Sequence, residues 1–160
     1  MDKTMQEHLQ SVIDELKDIV ENHPFHAFAL LAIVIEVLGK SINSHTDWQH
    51  FERNGFDFNN ALTKYQSLKK YSTLKVSLYD TLRCGMAHAF LPKEGIKLVP
   101  DKNDFSNDTI GCKELYEDIV IAWSDLKKGV ITPDKDMSKN VIKIIGPTTG
   151  VTNTDKSQIV

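Results

Sequence analysis

Between Met5 and Val20 the apolar residues Met5, Leu9, Val12, Ile13, Leu16, Ile19 and Val20 recur at spacings of three and four. That rhythm predicts an amphipathic helix over residues 4–21 with an acidic outer face, ended by His23-Pro24. Pro24 opens a second helix, where its missing N–H costs little. From Phe25 to Ile42 the chain is apolar almost all round, which predicts a buried central helix. Ser44 or Thr46 supplies a cap for a short segment over 47–54, with Gly55 as its C-terminal stop. Helical spacing resumes over 59–70, a boundary falls at Ser72-Thr73, and another helix is predicted over 73–91, closed by Pro92. At about 100° per residue, Leu74, Leu78, Leu82, Gly85, Met86 and Ala89 share one arc of that helix, its core face. The β-branched, Gly- and Pro-bounded run from Gly95 to Val99 reads as one strand of a small hairpin. Residues 113–128 return to helical spacing through Leu115, Ile119, Ile121, Ala122, Trp123 and Leu126, with Gly129 as the stop. Residues 131–160 lack aromatics and are rich in Thr, Lys, Asp and Gly, and their one apolar run, Val141 to Ile145, is expected to add a strand to the hairpin. No repeat is visible. The expectation is an all-α helical domain over residues 1–130 with a small β-hairpin insertion, followed by a tail or peripheral arm over 131–160.

Composition narrows the class. A chain of 160 residues, 41% hydrophobic and 26% charged, fits a single core that needs neither disulfides nor structural metal. The longest apolar run, residues 25–38, contains His26 and Glu36 and falls short of the roughly 20 residues that cross a bilayer, so no membrane span is expected. The polar N-terminus has no apolar signal core, which points to the cytoplasm. Cys84 and Cys112 have no zinc or redox spacing and read as free thiols. A net charge of −3, from 19 basic and 22 acidic residues, excludes a non-specific nucleic-acid coat. Its distribution changes the picture. Residues 61–100 hold Lys64, Lys69, Lys70, Lys75, Arg83, Lys93 and Lys97 against only Asp80 and Glu94. Such a segment in an acidic chain suits an anionic partner met at one place, the bland reading being a solvated helix face.

Several motifs drop out. Gly39-Lys40-Ser41 resembles the end of a phosphate-binding loop, but that loop needs glycine where Val34 stands and must precede its helix rather than end one. His23, His26, His45 and His50 with Asp47 do not present two ligands on one helix face, so neither metal nor cofactor is expected. No nucleophile elbow occurs, and the sequon Asn107-Asp108-Thr109 lacks a secretory route.

The segment that carries chemistry is the helix over 73–91. Measured from Arg83, Asp80 falls at about 60°, Cys84 at about 100° and His88 at about 140°, a polar strip whose bisector points away from the core arc. An exposed Arg and His lack the enclosure that makes electrostatic catalysis effective, and a symmetric homodimer would supply it by bringing two such strips into one cleft. There the planar guanidinium can hold a phosphodiester and imidazole can move protons near neutrality. Those are the parts a metal-independent ribonuclease needs.

Arg83-Cys-Gly-Met-Ala-His88, within LYDTLRCGMAHAF, resembles the Arg-x4–6-His motif of the HEPN superfamily, all-α domains that often dimerise and include metal-independent endoribonucleases and toxins. The apolar helix with its embedded Glu36, the later motif helix, the short β insertion and the closing LYEDIVIAW helix suit that group over roughly residues 5–128. The resemblance implies an HEPN-like helical bundle cutting RNA, in a group that includes toxin and defence proteins, with Arg83 and His88 as catalytic residues and Asp80, Cys84 and Glu36 in support. RNA or nucleotide, a second copy of the chain and an antitoxin protein are the partners it implies. Many active members carry Asn, Asp or His directly after the arginine, where this chain has Cys84. That departure keeps open an alternative, a non-catalytic helical module binding nucleotide, RNA or protein through the same cleft. His88-Ala89-Phe90 also stands where some toxins have the His-x-Tyr target of a nucleotidyltransferase. Glu36, a carboxylate in an apolar helix, needs a partner, and Arg83 and Lys40 are the two candidates.

Overall fold

The structure is a computed structural model describing residues 2–44, 48, 54–89, 91–100, 105, 106, 108–138 and 141–143. The chain runs β1 (Asp2–Thr4), α1 (Met5–Asn22), α2 (Pro24–Ser41), α3 (Asn54–Lys64), a 3-10 helix (Gln66–Thr73), a π turn (Tyr79–Cys84) continuing into α4 (Gly85–Ala89), β2 (Lys97–Val99), β3 (Thr109–Gly111), α5 (Cys112–Lys127) and β4 (Val141–Lys143). It is mainly helical.

α1 starts on a capping box. Thr4 Oγ1 accepts from the Glu7 N–H at 3.1 Å, and Glu7 Oε2 accepts from the Thr4 N–H at 2.8 Å, which satisfies two N–H groups that a helix start leaves unpaired. α2 is the hub, packed against α1, α3, α5 and the motif helix. Its Ala27, Phe28, Leu31, Ala32, Val34, Ile35 and Leu38 are buried together with Leu9, Ile13, Leu16 and Val20 of α1 and Leu115, Ile119, Ala122 and Trp123 of α5. By length and a mean hydropathy of 1.5, α2 could cross a membrane, yet 61% of it is buried inside the fold. The crossing of α2 and α3 depends on Gly39, where a Cβ would sit 1.7 Å from the Asp57 carbonyl oxygen. Asp57 itself is buried and accepts from Asn43 Nδ2 at 2.8 Å.

Five details differ from the sequence reading. Gly55 does not stop a helix; it lies in the first turn of α3, against the Tyr79 ring. The helix expected over 59–70 is instead α3 followed by the 3-10 helix, and residues 74–77 form a bend, so the motif helix begins only at Leu78. Among the described residues no such hairpin forms: β2 pairs with β3 in parallel, Lys97 opposite Thr109 and Val99 opposite Gly111. Parallel pairing needs a crossover rather than a tight turn. The run from Val141 does form a strand, but β4 pairs antiparallel with β1, Thr4 opposite Val141. Local sequence carries strand propensity, whereas the choice of partner is set by the fold.

Residues 129–138 return across the ends of α2 and α5. Gly129 takes a φ of +73°, the left-handed turn that ends α5. Met137 is buried, and Lys135 Nζ donates to the Lys40 and Asn43 carbonyls at 2.6 and 2.7 Å, closing the C-terminal end of α2.

Candidate functional site

The motif helix starts at a polar anchor. The Asp80 N–H donates to Ser77 Oγ at 3.3 Å, and the Thr81 hydroxyl donates to the Ser77 carbonyl at 2.8 Å. Its opening, Tyr79–Cys84, is a π turn closed i→i+5, and Gly85–Ala89 then continue as α-helix. At Gly85 the returning segment 91–93 crosses so closely that a Cβ would lie 2.6 Å from the Leu91 carbonyl oxygen. The Lys93 N–H donates to the Thr81 carbonyl at 3.0 Å and ties that segment to the π turn.

A π turn holds more residues than an α turn, so it changes which side chains share a face. Residues five apart lie about 140° apart on an α-helix and draw closer together around the axis on the wider π turn. Tyr79 and Cys84 are such a pair. The Tyr79 hydroxyl is held above its usual pKa, first by burial and then by the charge of the Cys84 sulfur and a hydrogen bond to it, with the Arg83 cation opposing.

The same wide turn redirects Arg83. Of the polar strip read at 100° per residue, Asp80 and His88 are exposed and Cys84 is half-buried, while Arg83 reaches toward α2. Its Nε donates to Glu36 Oε2 at 3.0 Å, while Glu36 Oε1 receives Lys40 Nζ, one turn further along α2, at 3.3 Å. Both candidate partners therefore hold the one carboxylate. Glu36 and Lys40 are only 4% and 3% exposed, whereas the Arg83 side chain is 23% exposed. One carboxylate thus meets two cations, and only the Arg83 side of the cluster reaches solvent.

Arg83 uses one of its five N–H donors on Glu36 and makes no other hydrogen bond among the described residues. The edge formed by its two Nη groups, the edge that grips two oxygens of a carboxylate or phosphate, remains open. His88, five residues on, is exposed on α4, as is Asp80 on the preceding turn, and Cys84 is half-buried. The structure brings Glu36, Arg83, Cys84 and Tyr79 together. Tyr79 escaped the sequence reading, since an i,i+5 pair has meaning only on a π turn.

Gly39-Lys40-Ser41 offers nothing to a phosphate. Lys40 and Ser41 are buried, and Ser41 Oγ donates to the Leu38 carbonyl at 2.6 Å. His23 and His26 are exposed, with rings 6.0 Å apart, and His45, Asp47 and His50 lie outside the described residues. Among the described residues no three His, Cys, Asp or Glu side chains gather as metal ligands. The basic segment resolves into two groups. Lys70 pairs with Glu114 and with Asp118 (2.8 Å), and Lys97 pairs with Asp108 at 3.3 Å. Lys64, Lys69, Lys75 and Lys93 are exposed and carry no ion pair among the described residues.

No family model matches this chain, and no curated protein or solved structure matches it either.

Proposed function

We propose that the protein is a metal-independent endoribonuclease of the HEPN type, acting as a homodimer with Arg83 and His88 in a cleft between two copies. One observation carries the reading: a buried carboxylate orients Arg83 through Nε and leaves its two-nitrogen edge open, five residues from an exposed imidazole. An arginine fixed in this way binds a phosphodiester without first losing side-chain freedom, which favours both affinity and transition-state stabilisation. In the reaction His88 takes the proton from the ribose 2′-hydroxyl, whose oxygen bonds to phosphorus as the bond to the 5′-oxygen breaks. The 5′-oxygen leaves with a proton from the second copy's His88. A cyclic phosphate and a 5′-hydroxyl result, and Arg83 faces the charge that builds on the phosphoryl oxygens. The second copy is supported by Leu30 and Ile33, large apolar residues exposed on α2 within two turns of Glu36. Toxin or defence duty and an antitoxin partner belong to this reading through the resemblance alone.

Cys84 favours a second reading. The residue after the arginine is a half-buried thiol rather than a further polar group, which suits a module that binds RNA, nucleotide or a protein partner through the Arg83 edge without cutting. The test is incubation of purified protein with RNA in EDTA, with His88→Ala and Arg83→Lys alongside. His88→Ala should lower turnover by about 100- to 10,000-fold at nearly unchanged affinity, and Arg83→Lys should weaken both. Cleavage that persists in His88→Ala, or that needs added divalent metal, overturns the mechanism.

A further inference from the structure

A cavity of about 390 Å³ opens between α3 and the bend that precedes the motif helix. That volume lies in the range of roughly 300–1,000 Å³ typical of small-ligand sites. Leu62, Leu74 and Leu78 give it apolar walls, while Asn59, Thr63, Ser72 and Ser77 place amide and hydroxyl groups around it and Lys75 adds a cation. Apolar walls with hydrogen-bonding groups at the margin suit a flat heteroaromatic ring whose edges carry donors and acceptors. Charge supplies the rest. Lys75 is exposed and unpaired among the described residues, as are Lys64, next to Thr63 on α3, and Lys69, three residues before Ser72. Lys75 at the cavity, with Lys64 and Lys69 close to its lining residues in sequence, complements an anionic chain that carries bases.

The cavity is also on the path to the candidate site. Ser77 lines it and, through its hydroxyl and carbonyl, anchors the start of the π turn. Arg83 follows six residues later, at most about 9 Å along the helix axis. α3 borders both places, with Asn59 and Thr63 at the cavity and Phe58 edge-on to Tyr79, ring centroids 5.6 Å apart.

We infer that this cavity is a base-binding subsite that receives an unstacked nucleotide of single-stranded RNA flanking the phosphodiester held at Arg83. The inference rests on the ribonuclease reading for its ligand class. The site recognises the base by its shape and edges, and Lys75 holds the adjoining phosphate.

The test uses the full chain and a short single-stranded RNA carrying 4-thiouridine. Crosslinks should map to residues 59–78. Lys75→Ala should weaken binding several-fold across sequences and lower the slope of log affinity against log salt by about 0.7. Asn59→Trp, on an exposed position of α3, should fill the cavity, weaken binding by about tenfold and leave the salt slope in place. With a cleaved substrate both variants should raise KM far more than they change kcat. If the parent cleaves RNA while both variants keep its KM, the subsite is overturned and the nuclease reading stands. If the parent binds RNA without cleaving it and both variants bind more weakly, the subsite stands and the nuclease reading falls. Crosslinks outside residues 59–78, or a parent that binds no RNA, overturn the subsite.

Discussion

Replacing Glu36 by Gln tests the architecture of the site most directly. At an effective dielectric near 20, each of the two contacts, 3.0 Å to Arg83 and 3.3 Å to Lys40, has a gross Coulomb attraction of about 5 kcal/mol, most of it offset by the desolvation of three charges. The net effect of removing one partner follows from what is left behind. Glu36→Gln keeps the shape and takes the Glu36 carboxylate away from the Lys40 ammonium, which is only 3% exposed. Breaking a buried pair in this way costs about 3–5 kcal/mol, a fall in Tm of roughly 6–20 °C for a chain of this size. Arg83→Ala leaves Glu36 paired with Lys40 and removes a side chain that is 23% exposed, so its loss is about 1 kcal/mol. The double variant Glu36→Gln, Lys40→Met removes the buried ammonium along with its carboxylate and should recover much of the stability lost in the single variant. Urea denaturation of the four proteins decides the matter. A loss below about 1 kcal/mol in Glu36→Gln, or a Lys40→Met change that adds to that loss instead of relieving it, would refute the reasoning.

Gly85→Ala drives a Cβ to within 2.6 Å of the Leu91 carbonyl oxygen, so denaturation should show a loss of about 1–3 kcal/mol. Lys135→Ala removes the two hydrogen bonds to the Lys40 and Asn43 carbonyls at the end of α2 and should cost about 1–2 kcal/mol in the same measurement. Burial pushes the Cys112 thiol up to about 12, so at pH 8 only about one molecule in ten thousand carries the thiolate there; mass spectrometry after iodoacetamide treatment of native protein should find Cys84 labelled and Cys112 unlabelled. Ile33→Glu, at an exposed position of α2, should leave Tm unchanged and shift sedimentation from dimer to monomer, and a parent that is monomeric at micromolar concentration removes the two-copy cleft.

Much of the helical frame is legible in the sequence because α1 and α5 bury one face, and α2 most of its surface, at the period of the α-helix. The predicted 4–21, 25–42 and 113–128 stand against Met5–Asn22, Pro24–Ser41 and Cys112–Lys127. The strands resist such reading. Three residues of Lys97–Val99 or Val141–Lys143 carry no period long enough to reveal a partner, and the pairing of β4 with β1 joins residues at opposite ends of the described chain, a contact that only the packed helices bring about.

The site divides in the same way. Glu36 announces itself as a lone acid in an apolar helix, and chemistry limits its partners to nearby cations, so Arg83 and Lys40 are legible as alternatives even though the fold uses both. Orientation around the motif helix is a different matter, because it rests on an assumed angle per residue. One π turn over Tyr79–Cys84 invalidates that angle, and with it the placement of Arg83 opposite the core. Nothing in LYDTLRC marks the wider turn, since its cause lies elsewhere in the chain: the segment 91–93 presses on Gly85, and the Lys93 N–H takes the Thr81 carbonyl. The π turn aligns Tyr79 with Cys84 and delivers Arg83 to Glu36 together. A variant that relieves this pressure and restores α-helical closure would rotate the two pairs apart at once, which makes segment 91–93 a determinant of the site although none of its side chains belongs to it.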